Sequence, residues 1–158
     1  MSRAFTKEQD GDASPADIGE RPVSQHRNLV TPEGLAMIDA QVAELRAQLA
    51  IAEGEGDRER IGLVSRDLRY WNARRETAEL SVPDKDSKVV RFGMNVEIVN
   101  DDDVVHRWKI VGEDEADVSA GKISHVSPVA QALFGRGVGE VITVNDKDWE
   151  IAAIGTEG

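Results

Sequence analysis

The side chains best suited to chemistry in this 158-residue chain are carboxylates, and they are clustered. Glu113-Asp114-Glu115-Ala116-Asp117 offers four acids within five residues, and Asp101-Asp102-Asp103 offers three in a row. Hard oxygen ligands of this kind hold divalent cations when they alternate with glycine-bearing turns, as in a calcium loop. Neither run has that plan, so both are read as charged turns; Asp and Asn favour such turns through local backbone hydrogen bonds. A third group, Asp57 and Glu59, follows Gly56, with Arg58 and Arg60 flanking Glu59, where carboxylates favour the positive end of a following helix. His106 has no nucleophile or metal ligand in view that would give it catalytic work. Ser127-Pro128 is a hydroxyl cap followed by a proline that has no donor to lose, the start of a short helix running through Leu133.

The elements that position these residues change period partway along the chain. Thr31-Pro32-Glu33 is a helix start: a hydroxyl N-cap, proline at the first helical position and a carboxylate at the positive dipole end. Leu35, Ile38, Val42, Leu45, Leu49 and Ala52 then recur at steps of 3 and 4, a heptad seam. Two glycines in Gly54-Glu55-Gly56-Asp57 end that helix and permit a reversal. A second seam runs Ile61, Val64, Leu68, Trp71, Arg75 and Ala78, with the Arg75 stem expected to pack and its head to reach water. Arg66, Arg69, Arg74 and Arg75 make this helix locally basic and are read as a solvated face. The two seams predict an antiparallel helical hairpin, a short coiled coil.

From Val89 the period becomes two. A short strand is expected at Val89–Phe92, then strands about Val96–Ile98 and Val104–Val111 joined by the turn Asn100–Asp103. Trp108 is expected in the core and His106 at the sheet margin. Gly135, Gly137 and Gly139 lead into Val141–Val144, an Asn145-Asp146 turn and a last strand, Trp149–Ile154. The fold class is therefore α+β: an N-terminal helical hairpin followed by a small, mostly antiparallel β domain with one short helix. The boundaries are a disordered arm at 1–30, poor in large apolar residues, the hairpin at 31–82 and the β domain at 84–158.

Composition narrows the function classes. The net charge is −11, divided as −1 over residues 1–30, −3 over 31–82 and −7 over 83–158. Such a surface repels phosphate at long range, so direct strong binding to nucleic acid is not expected, and a protein partner or a metal ion suits it better. With no cysteine there is neither a disulfide nor a thiolate metal site. No apolar run reaches the roughly 18 residues of a membrane span or the form of a signal peptide, and a cytoplasmic monomer is expected.

Several blocks in order carry a resemblance: Leu29-Val30-Thr31-Pro32-Glu33-Gly34-Leu35, Val105-His106-Arg107-Trp108-Lys109-Ile110-Val111-Gly112, Gly121-Lys122-Ile123-Ser124, and Ser127-Pro128-Val129-Ala130-Gln131-Ala132-Leu133. Over Leu29 to Ile154 the chain resembles the bacterial Gre transcript-cleavage factors. The resemblance implies an FK506-binding-protein-like (FKBP-like) C-terminal domain that docks on RNA polymerase at the rim of its secondary channel. It also implies a coiled coil that enters the channel, with acids at its tip sharing the polymerase's catalytic Mg²⁺; no cofactor of the chain's own is implied. By position Asp57, with Glu59 nearby, are the candidate tip and metal-sharing residues. Ser127, Pro128 and Gln131 are the candidate partner-binding residues, Gln131 replacing an arginine usual in the motif.

The tip departs from the family pattern. Gly56-Asp57-Arg58 is followed by Glu59-Arg60-Ile61-Gly62 instead of a Ser-Glu-Asn run. Thr31 to Glu53 as a helix reaches ~34 Å, and each arm falls short of the family's by roughly eight residues, or ~12 Å. The resulting expectation is a non-enzymatic regulator of transcription elongation with little or no stimulation of RNA cleavage. The alternative is a Gre-like protein-binding regulator resembling the regulators of nucleoside diphosphate kinase, which share the domain and carry a shortened coil. A peptidyl-prolyl isomerase is suggested by fold analogy alone, and it needs an aromatic-lined pocket in a chain only 4% aromatic.

Overall fold

The computed structural model describes residues 19–156. It divides into two compact units: one holds residues 38–76 with the described residues up to Gln25, and the other holds His26–Met37 with Thr77 onward. The expected arm at 1–30 lies outside the described residues up to position 18.

The first unit is built from two helices, α1 (Pro32–Glu55), which begins in the other unit, and α2 (Arg58–Thr77). Gly56, with φ of +66°, makes the reversal between them. The Asp57 amide reaches back to the Ala52 carbonyl at 3.0 Å, closing the turn. Arg75 near the end of α2 donates to Asp39 near the start of α1 at 2.5 Å, so the helices run antiparallel. Ile38, Val42, Leu45 and Ala52 of the first seam and Val64 of the second are buried. Their 3- and 4-residue spacing is what turns one stripe of each helix inward.

Arg75 is exposed, and the buried cation of α2 is Arg74, only 1% accessible. Residues 20 and 21 lie along the stretch of α2 that carries Asp67, Arg69 and Tyr70. There the Arg21 guanidinium sits 4.1 Å above the Tyr70 ring and pairs with Asp67, while Glu20 accepts two hydrogen bonds from Arg69 at 2.7 and 2.6 Å. The expected fully solvated arginine face is thus partly covered, and residues 20 and 21 are engaged where a free arm was expected.

In the second unit a two-residue parallel pair, β1 (Leu29–Val30) with β2 (Glu79–Leu80), precedes a five-stranded sheet. The sheet comprises β3 (Asn95–Val99), β4 (Val105–Val111), β5 (Lys122–Ser124), β6 (Val141–Val144) and β7 (Lys147–Gly155), in the order β5-β4-β3-β7-β6. Asp103 takes φ of 62° in the β3–β4 turn, and Asn145 and Asp146 take 54° and 65° in the β6–β7 turn. Those left-handed values suit a two-residue hairpin and explain the Asn-Asp pair. One helix, α3 (Pro128–Leu133), places Ala130 and Leu133 against Val96, Ile98, Ile110, Ile142 and Ile151.

One expectation needs correction. Residues 89–92 form no strand: Val90 donates to Arg136 and accepts from Gly135, so this apolar segment is buried through loop contacts. The sheet also has a parallel edge, because β5 runs with β4, Lys109 facing Lys122. At three residues β5 is too short to show a period, and the Val118–Ala120 3₁₀ turn before it supplies the crossover.

Candidate functional site

The tip of the hairpin is built by helix capping. The Asp57 side chain accepts from the Arg60 amide at 3.1 Å and its carbonyl from the Ile61 amide at 2.9 Å, which makes it the N-cap of α2. Glu59 lies in the first turn of that helix, and Arg60 stands 3.8 Å from Glu55. Asp57 and Glu59 are both exposed. No cluster of three potential metal ligands occurs among the described residues. One carboxylate oxygen of Asp57 is already used by its own helix, so a cation there would have to compete with the cap or use the other oxygen.

The second candidate surface surrounds the start of α3. Ser127 accepts from the Ala130 amide at 3.3 Å, and Pro128 occupies the first helical position, exposed. Gln131 turns back and donates from Nε2 to the His125 carbonyl at 2.7 Å. That bond holds the loop before the helix, so Gln131, like Ser127, has structural work here besides any contact it offers. His125 itself is buried, with its ring edge-on to Phe92 at 5.6 Å. Burial pushes its pKa below the ordinary histidine value, partly offset by the Glu113 charge.

The acidic turns behave differently from one another. Asp101, Asp102 and Asp103 are exposed, and Asn100 organises the turn by accepting from the Asp102 and Val104 amides, each at 2.9 Å. Asp117 caps the 3₁₀ turn; its hydrogen bond from the Ser119 hydroxyl, at 2.6 Å, holds its carboxyl below the usual range. Glu115 is buried, and its Oε1 accepts the Thr31 hydroxyl at 2.5 Å. Thr31 was legible as a cap, but nothing in the sequence pairs it with a residue 84 positions away.

Aromatic rings gather at one end of the sheet. His106 is exposed and stacks on Trp149 with centroids 4.7 Å apart, while Trp108 packs edge-on to it at 5.4 Å. With Ile98, Val129 and Val144 they line a cavity of about 270 Å³. An aromatic-lined recess therefore exists despite the low aromatic content, because two of the three tryptophans share it.

No helix among the described residues is long and apolar enough to cross a membrane. Residues 85–156 match the family described as "Transcription elongation factor, GreA/GreB, C-term". The chain is 32% identical to the transcription elongation factor GreA of Ralstonia nicotianae, over 81% of this chain and 87% of that protein. It is 35% identical to GreA of Caulobacter vibrioides, over 75% and 78% respectively. Among solved structures, GreA factor homolog 1 (Gfh1) of Thermus thermophilus aligns with a TM-score of 0.41 at 18% identity, covering 84% of this chain and all of that one. From the identity over most of both chains, together with the matched C-terminal region, the chain belongs to the GreA/GreB family of transcription elongation factors.

Proposed function

We propose that the chain regulates elongation by binding RNA polymerase at its secondary channel, without itself being an enzyme. In this reading the FKBP-like sheet unit docks through Ser127, Pro128 and the loop that Gln131 holds. The α1–α2 hairpin, as a short antiparallel coiled coil, enters the channel. The protein acts as a monomer in the cytoplasm.

The tip is the observation that carries the regulatory, non-cleaving part of the proposal. Asp57 spends a carboxylate oxygen on the α2 cap, and Arg60 sits beside Glu55. A shared Mg²⁺ would need carboxylate oxygens at roughly 2.0–2.6 Å. The 24 residues of α1 reach about 36 Å, still short of the longer family arms. Asp57 and Glu59 are the tip residues that would approach such a cation, whose chemistry would be polarisation of a water at the phosphodiester.

The test is capture on core RNA polymerase. Saturable binding that is lost when residues 84–158 are removed supports the proposal; absence of saturable binding, or binding indifferent to that deletion, ends it. The short arms also suit a regulator resembling those of nucleoside diphosphate kinase, and capture by that enzyme instead of polymerase would favour this second reading.

A further inference from the structure

Glu115 presents a puzzle, because its side chain is only 6% exposed in the middle of an acidic turn whose neighbours Glu113 and Asp114 are half-buried and whose Asp117 is exposed. A buried carboxylate is costly unless its oxygens are satisfied. Its Oε1 accepts the Thr31 hydroxyl at 2.5 Å. Its Oε2 has no hydrogen-bond partner among the described residues, and the nearest cation, Lys122 Nζ, stands at 3.6 Å.

The Thr31 oxygen also accepts from the Gly34 amide at 2.9 Å, so amide, hydroxyl and carboxylate form one chain at the positive end of α1. A side chain at position 34 would place its Cβ 2.7 Å from Glu115 Oε1, which accounts for a glycine in the first turn of a long helix. Beside it, Lys109 of β4 lies 3.7 Å from Glu33. All of these groups belong to the sheet unit.

The geometry points to Glu115 as a positioning residue: its carboxylate holds the root of α1 in one register on the sheet unit, through Thr31. A cap alone would need only the Thr31 hydroxyl; the buried acid, and the space cleared for it at Gly34, tie that cap to β4 and the turn after it. The role in transcription rests on the function proposed above. The latch itself does not.

The chain has no cysteine, so spin labels at Ala36→Cys in the first turns of α1 and Asp102→Cys, both exposed positions of the sheet unit, report the root directly by pulsed dipolar spectroscopy. The expected result is that Glu115→Ala and Thr31→Val each broaden the distance distribution at least twofold, while Thr31→Ser leaves it as in the parent. Circular dichroism verifies that each variant is folded; if Glu115→Ala is not, Thr31→Val, which leaves the acidic turn intact, decides. An unchanged distribution in folded Thr31→Val, or equal broadening in Thr31→Ser, overturns the proposal. The same variants titrated against core polymerase separate the two readings. Broadening in a chain that never binds polymerase upholds the latch and rejects the functional proposal.

Discussion

Gly112 closes β4 against the backbone of β1, and replacing it tests how tightly the segment before α1 is seated. A Cβ built there would lie 2.3 Å from the Leu29 carbonyl oxygen and 3.4 Å from its carbon. Real Cβ contacts are not found under 3.0 Å, so the two backbones would have to separate by about 0.7 Å, the difference between 3.0 and 2.3. The obstructing atom cannot swing away as a side-chain end would: Leu29 pairs with Glu79, and the neighbouring Val30 carbonyl accepts from the Ser81 amide at 3.0 Å. Overpacking typically costs ~1–3 kcal/mol, and a rigid backbone obstacle puts Gly112→Ala near ~3 kcal/mol. At about 4–8 °C per kcal/mol for a unit of this size, the melting midpoint should fall by roughly 12–24 °C. Gly54→Ala is the control. It lies in α1 with nothing within 4 Å of its built Cβ, so the change should be stabilising by up to ~1 kcal/mol. Urea titration followed by tryptophan fluorescence measures both. A Gly112→Ala midpoint equivalent to less than about 0.5 kcal/mol of loss, an ordinary surface effect, would refute the close-approach reasoning.

Four further outcomes follow. The neutral form of His125 is favoured in the fold, so its stability contribution is intact above the ordinary histidine value of 6.5. Stability should decline as pH falls below 6.5 and level off below the depressed folded value; His125→Gln should flatten that part of a denaturation series taken from pH 7.5 to 5. Asp57→Ala should cost ~1 kcal/mol of helix stability through loss of the α2 cap, read by thermal melting. In backtracked polymerase complexes with Mg²⁺, both the parent chain and Asp57→Ala should leave the RNA uncut; Mg²⁺-dependent shortening by the parent alone would restore a cleavage role. His106→Ala should cost about 0.5–1.5 kcal/mol from the lost stack on Trp149, and a stability unchanged in urea titration would show that stack to be incidental.

Local signals carried much of the architecture. Thr31-Pro32 and Ser127-Pro128 mark helix starts because capping is a contact between near neighbours, and Asn145-Asp146 marks a hairpin because few residues accept left-handed angles. The heptad steps placed Ile38, Val42, Leu45 and Val64 inside. What stayed hidden depends on residues far apart in the chain. Arg21 packs over Tyr70 from 49 positions away, and Glu115 is buried where Thr31 meets it across 84 positions. Likewise Val90 sits in the core through bonds to Gly135 and Arg136 that no strand period encodes. At the candidate sites, the residue types at Asp57, Ser127 and Gln131 were readable, and so was the Ser127 cap, but not that Asp57 gives a carboxylate oxygen to the Arg60 amide or that Gln131 turns back to the His125 carbonyl.

Site-specific crosslinking places the tip most directly. A photoreactive residue at position 57, in the full chain bound to core RNA polymerase, should attach to the walls of the secondary channel, and the adduct should vanish when residues 84–158 are deleted. Attachment to the outer surface of the polymerase, or no adduct under conditions of saturable binding, would contradict a docked body with a finger in the channel.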